Sequence, residues 1–266
     1  MEKVPDKSKP VLVTGATGYV AGRLVPLLLA SGYRVRTMGR SVEKLSDRAW
    51  SGHPNVECVK GDIMDKESLA RAVRGCDTIY YLVHSMISQK GSYRRADYEG
   101  AQNMAWAAGK ANARHIIYLG GLGDVSHKNI SKHLVSRNEV GKILQQGSVP
   151  VTVLRAAMIL GSGSASFEIL RYLVERLPVM LTPKWVNMPT QPIAITNVLG
   201  YLKGCLEHPE TRGKTFDIGG PDRVTYQSLF TIFAEVAGLP KPVMIKVPFL
   251  TPRLSSWWIH MVTPVP

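Results

Sequence analysis

The sequence is poor in cysteine and has no long apolar run. Its three cysteines, Cys58, Cys76 and Cys205, are scattered, and no two of them stand in C-x-x-C spacing. This pattern argues against a disulfide framework and a zinc site, and it favours a reducing compartment. The longest uncharged stretch, Trp185 to Leu202, is interrupted by prolines and amides. It is therefore not expected to span a membrane, which takes about 20 mostly apolar residues.

The first residues also lack the features of a targeting segment. Met1 to Pro10 is charged and has no apolar core of the kind found in signal peptides. Residues 1–9 are therefore predicted to form a flexible tail that leads into the first strand. A cytoplasmic protein is expected, with the inner face of a membrane as the alternative location.

A glycine-rich stretch, Thr14 to Arg23 with the sequence TGATGYVAGR, stands near the start of the chain. It follows the apolar run Val11 to Val13 and opens a segment in which apolar residues recur at helical spacing. Such a turn between a strand and a helix is the context in which a phosphate-binding loop occurs. The stretch therefore predicts a dinucleotide site.

Each small residue of this stretch has an expected role. Gly15 lets the chain reverse after the strand, and Gly18 lets backbone N–H groups approach a pyrophosphate. Small Ala21 or Gly22 allows the helix to pack close to the sheet, and the positive end of that helix faces the phosphates. The loop residues expected to contact the cofactor are Gly15, Thr17, Gly18, Tyr19 and Val20.

The residues after the second strand bear on the choice of cofactor. Sites that prefer NAD carry an acidic residue about 20 residues beyond the glycines, whereas this chain has Arg40 and Ser41 there. Arg40 can pair with a 2′-phosphate and Ser41 can donate a hydrogen bond to it. NADP(H) is therefore predicted over NAD(H), and an Arg40 that stacks over the adenine is the alternative.

Further cofactor contacts are expected at the ends of the third and fourth strands. Asp62 can accept a hydrogen bond from the adenine amino group while Ile63 covers the ring, although Asp62 can equally cap a turn. The fourth strand is predicted over Thr78 to Val83, so Val83 and His84 lie at its carboxyl end, where ligands of doubly wound sheets bind. They are expected near the nicotinamide ribose.

A predicted helix over residues 131–147 carries His133 and Arg137 four positions apart, so these side chains share one face. Gly120, at the end of the fifth strand, precedes this helix at the place where catalysis is expected. Gly120, Arg137 and Ala156 complete the predicted cofactor contacts. A solvent-facing histidine beside a surface arginine is the alternative for the helical pair.

The chain carries an excess of positive charge, with 33 basic and 20 acidic residues and a net charge of +13. No aromatic-interleaved basic stripe or nucleic-acid motif accompanies it. Solvated surface charge together with an anionic cofactor is therefore favoured, and no nucleic-acid partner is expected. The histidines show no metal-binding spacing, so no metal site is predicted.

The alternation of strands and helices predicts an α/β fold of the Rossmann type. We expect a doubly wound parallel sheet of strand order 3-2-1-4-5-6-7 with helices on both faces. The Rossmann domain is predicted over residues 10–176. After it, prolines interrupt the pattern, and residues 177–266 are predicted to form a small C-terminal lobe for substrate or partner, interleaved with the same domain.

Six motifs give the chain a recognisable resemblance. They are TGATGYVAG at Thr14 to Gly22, GDI at Gly61 to Ile63, YYLVHSM at Tyr80 to Met86, YLGGLG at Tyr118 to Gly123, LRAAMILGSGSASFE at Leu154 to Glu168, and FDIGGPD at Phe216 to Asp222. With these motifs the chain resembles the atypical short-chain dehydrogenase/reductases, which are related to nitrogen-metabolite-repressor-like proteins and to extended epimerase-type enzymes. The resemblance implies the fold and the cofactor. It also implies that the native chain can continue past Pro266.

The same resemblance exposes a departure at the catalytic positions. Ordinary members use a serine with a tyrosine and a lysine spaced Y-x-x-x-K, in which the tyrosine exchanges a proton as hydride moves. Here His133 stands in place of the tyrosine and Arg137 in place of the lysine, while the serine position falls on Gly120 or Gly121. Imidazole titrates near neutrality and can exchange a proton, whereas an arginine stays charged.

Two functions follow from this comparison. The first is an NADP(H)-dependent oxidoreductase that transfers a hydride between the nicotinamide and a small carbonyl or alcohol, with His133 exchanging the proton. The alternative is a non-catalytic NAD(P)H-binding redox sensor, or a structural or assembly subunit of a membrane protein complex. The pair Trp257 and Trp258 is compatible with a protein partner or a peripheral membrane contact, and also with a buried aromatic anchor.

Overall fold

The computed structural model describes residues 6–84, 93–123 and 132–247. The chain divides into two compact units. The first comprises Met1–Ala156 and Thr196–Ile218, and the second comprises Ala157–Ile195 and Gly219–Pro266. The sequence placed the end of the first domain at residue 176, so the observed division comes earlier, and a later segment returns to the first unit.

A seven-stranded sheet forms the centre of the first unit. Its strands, in chain order, are β1 (Val11–Thr14), β2 (Val35–Gly39), β3 (Val56–Lys60), β4 (Thr78–Tyr81), β5 (His115–Gly121), β6 (Val151–Ala156) and β11 (Thr215–Ile218). Their spatial order is β3-β2-β1-β4-β5-β6-β11, and every neighbouring pair is parallel. The predicted fold class and strand order are confirmed, with β11 as the seventh strand.

Helices flank this sheet. They are α1 (Tyr19–Ala30), α2 (Val42–Ser46), α3 (Lys66–Val73), α4 (Tyr93–Lys110), α5 (Lys132–Gln145) and α7 (Ile195–Glu207), and a short 3₁₀ helix spans Pro209–Thr211. The short helix α2 was not predicted. Helix α5 lies within the predicted range of 131–147. It ends at Gln145, because the chain bends at Gly147.

Two adjacent tyrosines of β4 show how the sheet is covered. Consecutive strand residues point to opposite faces. Tyr81 packs in a core cluster with buried residues of α3, α4 and α5, whereas the Tyr80 hydroxyl donates to the Leu202 carbonyl oxygen of α7 at 2.9 Å. Helices α3, α4 and α5 therefore lie on one face of the sheet and α7 on the other, as doubly wound topology requires.

The second unit has its own small core. Its elements are β7 (Ile159–Leu160), α6 (Ala165–Arg176), β8 (Val179–Thr182), a 3₁₀ helix (Lys184–Asn187), β9 (Pro189–Thr190), β10 (Ile193–Ala194), β12 (Val224–Thr225), α8 (Tyr226–Val236) and β13 (Val243–Lys246). The strands pair as three two-stranded sheets, of which only β9 with β12 is antiparallel. Helices α6 and α8 pack together through buried residues such as Leu173 and Phe230.

Membrane contact was the remaining expectation for the C-terminal part. Trp257 and Trp258 lie outside the described residues. Within the part of the chain that the structure describes, no helix is both long enough and apolar enough to cross a bilayer.

Candidate functional site

The loop between β1 and α1 is held in a conformation that needs glycine at two positions. Gly15 has φ +63°, and a Cβ atom there would lie 3.0 Å from the Leu82 carbonyl oxygen. A Cβ atom at Gly18 would lie 3.0 Å from the Gly15 carbonyl oxygen, which accepts the Gly18 N–H at 2.8 Å. Since both neighbours are backbone atoms, neither can move aside cheaply. The loop therefore forms a cradle that a side chain would fill.

Helix α1 starts directly from this cradle without a side-chain cap. Gly18 is its extended N-cap residue, and the first turn contains no acidic residue. The first N–H groups of a helix have no intrahelical partner and carry the positive end of its dipole. Tyr19 and Val20 supply such groups, so the residues present fit a diphosphate. Ala21 is 2% exposed, and Gly22 beside it is half-buried.

The side chain of Tyr19 turns along the helix. The Arg23 guanidinium stacks over its ring at 4.0 Å from the centroid. The Tyr19 hydroxyl is buried and has no hydrogen-bond partner among the described residues. The residue therefore contributes a backbone N–H to the cradle while its ring covers the first turn of α1.

A buried threonine ties the loop to the end of β4. The Thr14 hydroxyl donates to the Tyr80 carbonyl oxygen at 3.0 Å and accepts the Leu82 N–H at 3.0 Å. This places Val83 beside Gly15, with its Cγ2 3.4 Å from the position of a Cβ on that glycine. One hydroxyl thus bridges both strand ends and sets Val83 beside the glycine-rich loop. A contact of Val83 with the nicotinamide ribose stays a prediction.

The residues after β2 carry charges of both signs. Arg40 is exposed. The Ser41 side chain caps α2 by accepting the Lys44 N–H at 3.2 Å, and its hydroxyl donates to Glu43 Oε2 at 2.6 Å. This hydrogen bond lowers the pKa of Glu43 from its ordinary value, so the group stays a carboxylate at neutral pH. The sequence analysis did not predict a role for Glu43, whose carboxylate lies beside Ser41, the serine predicted to contact a 2′-phosphate.

A second arginine reaches the loop from the far end of α2. Arg48 is exposed, and its Nη2 donates to the Thr17 carbonyl oxygen. No sequence pattern predicts this contact, because Thr17 lies in the segment that joins β1 to β2 and Arg48 lies in the segment that joins β2 to β3.

Asp62 caps the turn that follows β3. Its Oδ1 accepts the Met64 N–H at 3.0 Å, while its own N–H donates to the Ser68 hydroxyl. Ile63 is 8% exposed and packs beside Gly100 of α4, and its carbonyl oxygen accepts from the buried Asn103 amide. The capping role of Asp62 is thus seen directly, and contacts of these two residues with adenine stay a prediction.

Helix α5 packs closely onto the end of β5. A Cβ atom at Gly121 would lie 2.7 Å from Leu134 Cδ2 and 3.1 Å from Arg137 Cδ. The buried Tyr118 hydroxyl donates to the Arg137 carbonyl oxygen at 3.0 Å. Gly121 therefore makes room for the Arg137 side chain at the carboxyl end of the strand. His133 lies one turn earlier on the same helix and is exposed.

His84 belongs to the same edge of the sheet. Its ring meets the Tyr118 ring edge-on at 6.2 Å between centroids. Burial, and then the positive charge of Arg137, lower the pKa of His84 to about 3. The imidazole is therefore neutral at physiological pH, with one ring nitrogen able to donate a hydrogen bond and the other able to accept one.

The carboxyl ends of the parallel strands bring the predicted residues to one edge of the sheet. The end of β6 joins this edge too, because the Ala156 carbonyl oxygen accepts the Leu122 N–H at 2.8 Å just after Gly120 and Gly121. In the described ranges no group of three or more His, Cys, Asp or Glu side chains is placed to hold a metal. The arrangement is that of a dinucleotide-binding α/β protein.

Comparison with known proteins agrees with this class. The model of the NAD(P)H-binding family matches residues 15–171, which is more than half of the chain. The protein therefore belongs to the NAD(P)H-binding family.

Individual relatives differ in how much of the chain they share. The photosystem II assembly factor Ycf39 of Trieres chinensis is 24% identical over 247 residues, which cover 92% of this chain and 74% of that protein. Cinnamoyl-CoA reductase 1 of Petunia hybrida is 30% identical over 123 residues, 43% of this chain and 36% of that enzyme. The fold is similar to that of a nucleoside-diphosphate-sugar epimerase from Staphylococcus aureus, with a TM-score of 0.76, 22% identity, and coverage of 94% and 83% of the two chains.

Proposed function

We propose that the protein is an NADP(H)-dependent oxidoreductase that transfers a hydride between the nicotinamide and a small carbonyl or alcohol. The packing of Arg137 against Gly121 supports this proposal most directly. It brings to the carboxyl end of β5 the face of α5 that also carries His133. The resemblance to short-chain dehydrogenases supports the assignment of proton exchange to His133 and of the basic partner to Arg137.

The chemistry of each side chain determines the role proposed for it in hydride transfer. A nicotinamide cofactor, when bound, would supply or accept the hydride. Arg137 stays charged, so it can donate hydrogen bonds to a hydroxyl or to a developing alkoxide but cannot accept a proton. His133 gives a proton to the carbonyl oxygen in reduction and takes it back in oxidation. His84, which is neutral, is left with hydrogen bonding near the ribose.

Arg40 supports the preference for NADP(H), because a guanidinium pairs well with a phosphate. Glu43 opposes it, because a carboxylate repels one. We expect Arg40 to prevail. Fluorescence titration with NADPH and NADH measures the balance: NADPH should bind at least about tenfold more tightly, as one charge-assisted contact would give. Equal affinities would reject the NADP(H) assignment while leaving dinucleotide binding intact.

A turnover screen with aldehydes, ketones and quinones tests the reaction. Loss of a general acid typically costs about 10²- to 10⁴-fold in rate, so His133→Ala should lower kcat within that range and leave NADPH affinity within about twofold. His208→Ala is the matched control, since His208 is also exposed and pairs with Glu210 at 3.0 Å. If His133→Ala turns over like the parent protein, the histidine has no catalytic role.

A non-catalytic role is the second candidate, either as a redox sensor or as an assembly subunit. It is favoured by the replacement of the tyrosine and lysine, and by similarity over most of the chain to a protein named as an assembly factor. A protein partner, or a membrane surface contacted through residues 257 and 258, would belong to this role. Tight NADPH binding without turnover of any screened substrate would favour it over the enzyme.

A further inference from the structure

We propose that Arg48 is a second cation for the 2′-phosphate of NADP(H), acting together with Arg40. The inference rests on the NADP(H) preference proposed above and names a residue that determines it. Its basis is the position of Arg48, which follows α2 and donates from Nη2 to the carbonyl oxygen of Thr17 in the glycine-rich loop. The guanidinium therefore spans the gap between the loop and the segment after β2.

That gap is where the adenosine end of a dinucleotide has to lie. The pyrophosphate fits the cradle at Gly15 and Gly18, and the 2′-phosphate is expected near Arg40. The adenosine ribose joins these two groups, so it has to pass between the loop and the residues after β2. A cation that already bridges these two segments is within reach of a phosphate on that ribose.

The charge of Arg48 is available for such a contact. Its side chain is exposed, and no carboxylate forms an ion pair with it among residues 6–84, 93–123 and 132–247. Its hydrogen bond goes to a neutral carbonyl oxygen, which is a weaker partner than a phosphate. Exchanging the Thr17 carbonyl for a phosphate oxygen would therefore strengthen the interaction of the guanidinium.

The charges near Ser41 leave room for a further cation to strengthen phosphate binding. Glu43 stays ionised beside Ser41 and repels a phosphate placed there. The charge of Lys60 also acts on this carboxylate, so Glu43 does not cancel the effect of Arg40, and Arg48 would add a further positive charge toward a doubly charged 2′-phosphate. Discrimination between NADP(H) and NAD(H) then depends on both arginines.

A purely structural role for Arg48 makes a different prediction. If the hydrogen bond to Thr17 serves only to hold the loop in place, its loss disturbs the pyrophosphate cradle. Every dinucleotide would then lose affinity to the same extent. The comparison of ligands with and without the 2′-phosphate therefore separates the two roles.

The experiment titrates Arg48→Met and Arg48→Gln with 2′,5′-ADP, 5′-AMP, NADPH and NADH by calorimetry. Methionine removes both the charge and the donor, while glutamine removes the charge and keeps an N–H donor. In both variants 2′,5′-ADP and NADPH should bind at least about tenfold more weakly, and 5′-AMP and NADH should change less than about twofold. Arg34→Met is the control, because exposed Arg34 also donates to a neutral carbonyl oxygen, that of Ser8, at 3.2 Å.

Each result has one meaning for the proposal. Equal losses for NADPH and NADH, or no loss for either, overturn it, and thermal melting without ligand shows whether each variant is folded. If the methionine variant does not fold, the glutamine variant decides. A parent protein without NADPH preference would contradict the NADP(H) assignment itself, whereas a preference that survives in both variants would contradict only the role of Arg48.

Discussion

The two ends of the candidate site differ in whether backbone or side-chain atoms form the binding surface. At the β1–α1 end, the binding surface is backbone: Gly15 and Gly18 leave space, and the first turn of α1 presents N–H groups. At the β5–α5 end, it is made of side chains, with Arg137 packed on Gly121 beside the neutral imidazole of His84. Binding of a diphosphate needs the first kind of surface, and proton exchange needs the second.

This difference affects how each end tolerates change. A backbone cradle fails when any side chain fills it, whatever the chemistry of that side chain. A cluster of side chains can instead keep its shape and lose one chemical property. Substitutions at the first end should therefore weaken dinucleotide binding strongly, and those at the second end should mainly alter turnover or pH dependence.

The largest effect is expected for Gly15→Ala. Alanine at φ +63° is strained, and its Cβ would lie 3.0 Å from the Leu82 carbonyl oxygen, so the loop has to move. We expect about a hundredfold loss of NADPH affinity, as for other displacements of a binding group, and a loss of about 1–3 kcal/mol in unfolding free energy.

Gly52→Ala is the control for this change, since no atom lies within 4 Å of a Cβ atom at that position. Calorimetric titration and urea denaturation measure both effects. Retained affinity in Gly15→Ala would mean that the cradle does not bind the diphosphate.

Gly121→Ala tests the other end. The new methyl group would push the Leu134 and Arg137 side chains off the strand end. Because these are movable side chains, the stability cost should be modest, about 1 kcal/mol. Turnover should fall about 10- to 100-fold, since the guanidinium is misplaced, while NADPH affinity stays within about threefold.

Gly141→Ala, on the same helix, is the control, because its Cβ atom would meet Tyr118 and Val153 only at 3.6 Å. It should be neutral or stabilise the protein slightly. A Gly121→Ala variant that loses NADPH binding but not turnover per bound cofactor would reverse the roles assigned to the two ends.

The third prediction concerns acid stability. The folded protein keeps His84 neutral with a pKa of about 3, whereas the unfolded chain protonates it below its ordinary value of 6.5. The unfolded state therefore binds more protons between these values, and unfolding free energy falls as pH drops below 6.5, by at most about 1.4 kcal/mol per pH unit for this group. Buried His115 adds to the slope, with a pKa also lowered to about 3.

His84→Gln should make the decline between pH 6.5 and pH 5 shallower, as measured by urea denaturation at several pH values. His53→Gln, at an exposed histidine, should leave it unchanged. An unaltered slope in His84→Gln would show that the imidazole is not kept neutral in the folded protein.

The smallest effect is expected for Glu43→Gln. The carboxylate beside Ser41 is exposed and screened by solvent, so its removal should raise the NADPH-to-NADH affinity ratio only about two- to fivefold. The change should shrink at high salt. Glu99→Gln, at a carboxylate of α4 that pairs with Arg95 at 2.6 Å, is the control. A lower ratio would mean that Glu43 assists phosphate binding.

The backbone end was predictable because its requirements are local. A strand, two glycines at fixed spacing and a helix lie within one short stretch, so the sequence predicted the turn and a small residue, Ala21 or Gly22, in the first turns of the helix. Arg48 and Glu43 were missed because their significance depends on contacts with Thr17 and Ser41, and no spacing rule reports which surface charges approach a loop.

The catalytic end was predictable only in part. Helical periodicity placed His133 and Arg137 on one face, and the resemblance assigned them to the positions of a tyrosine and a lysine. That His84 is neutral does not follow from its place after a strand, since it depends on burial against Tyr118 and on the charge of Arg137.

By itself the sequence determined the class of fold and the place of the glycine cradle, because the alternation of strand and helix patterns and the spacing of the glycines are local features, and the strand order followed as the one usual for that class. The tertiary structure alone decided that the Arg48 side chain contacts the cradle and that the His84 imidazole is neutral. Both properties depend on contacts between residues far apart in the chain and on how far a side chain is removed from water, and local spacing in the sequence encodes neither property.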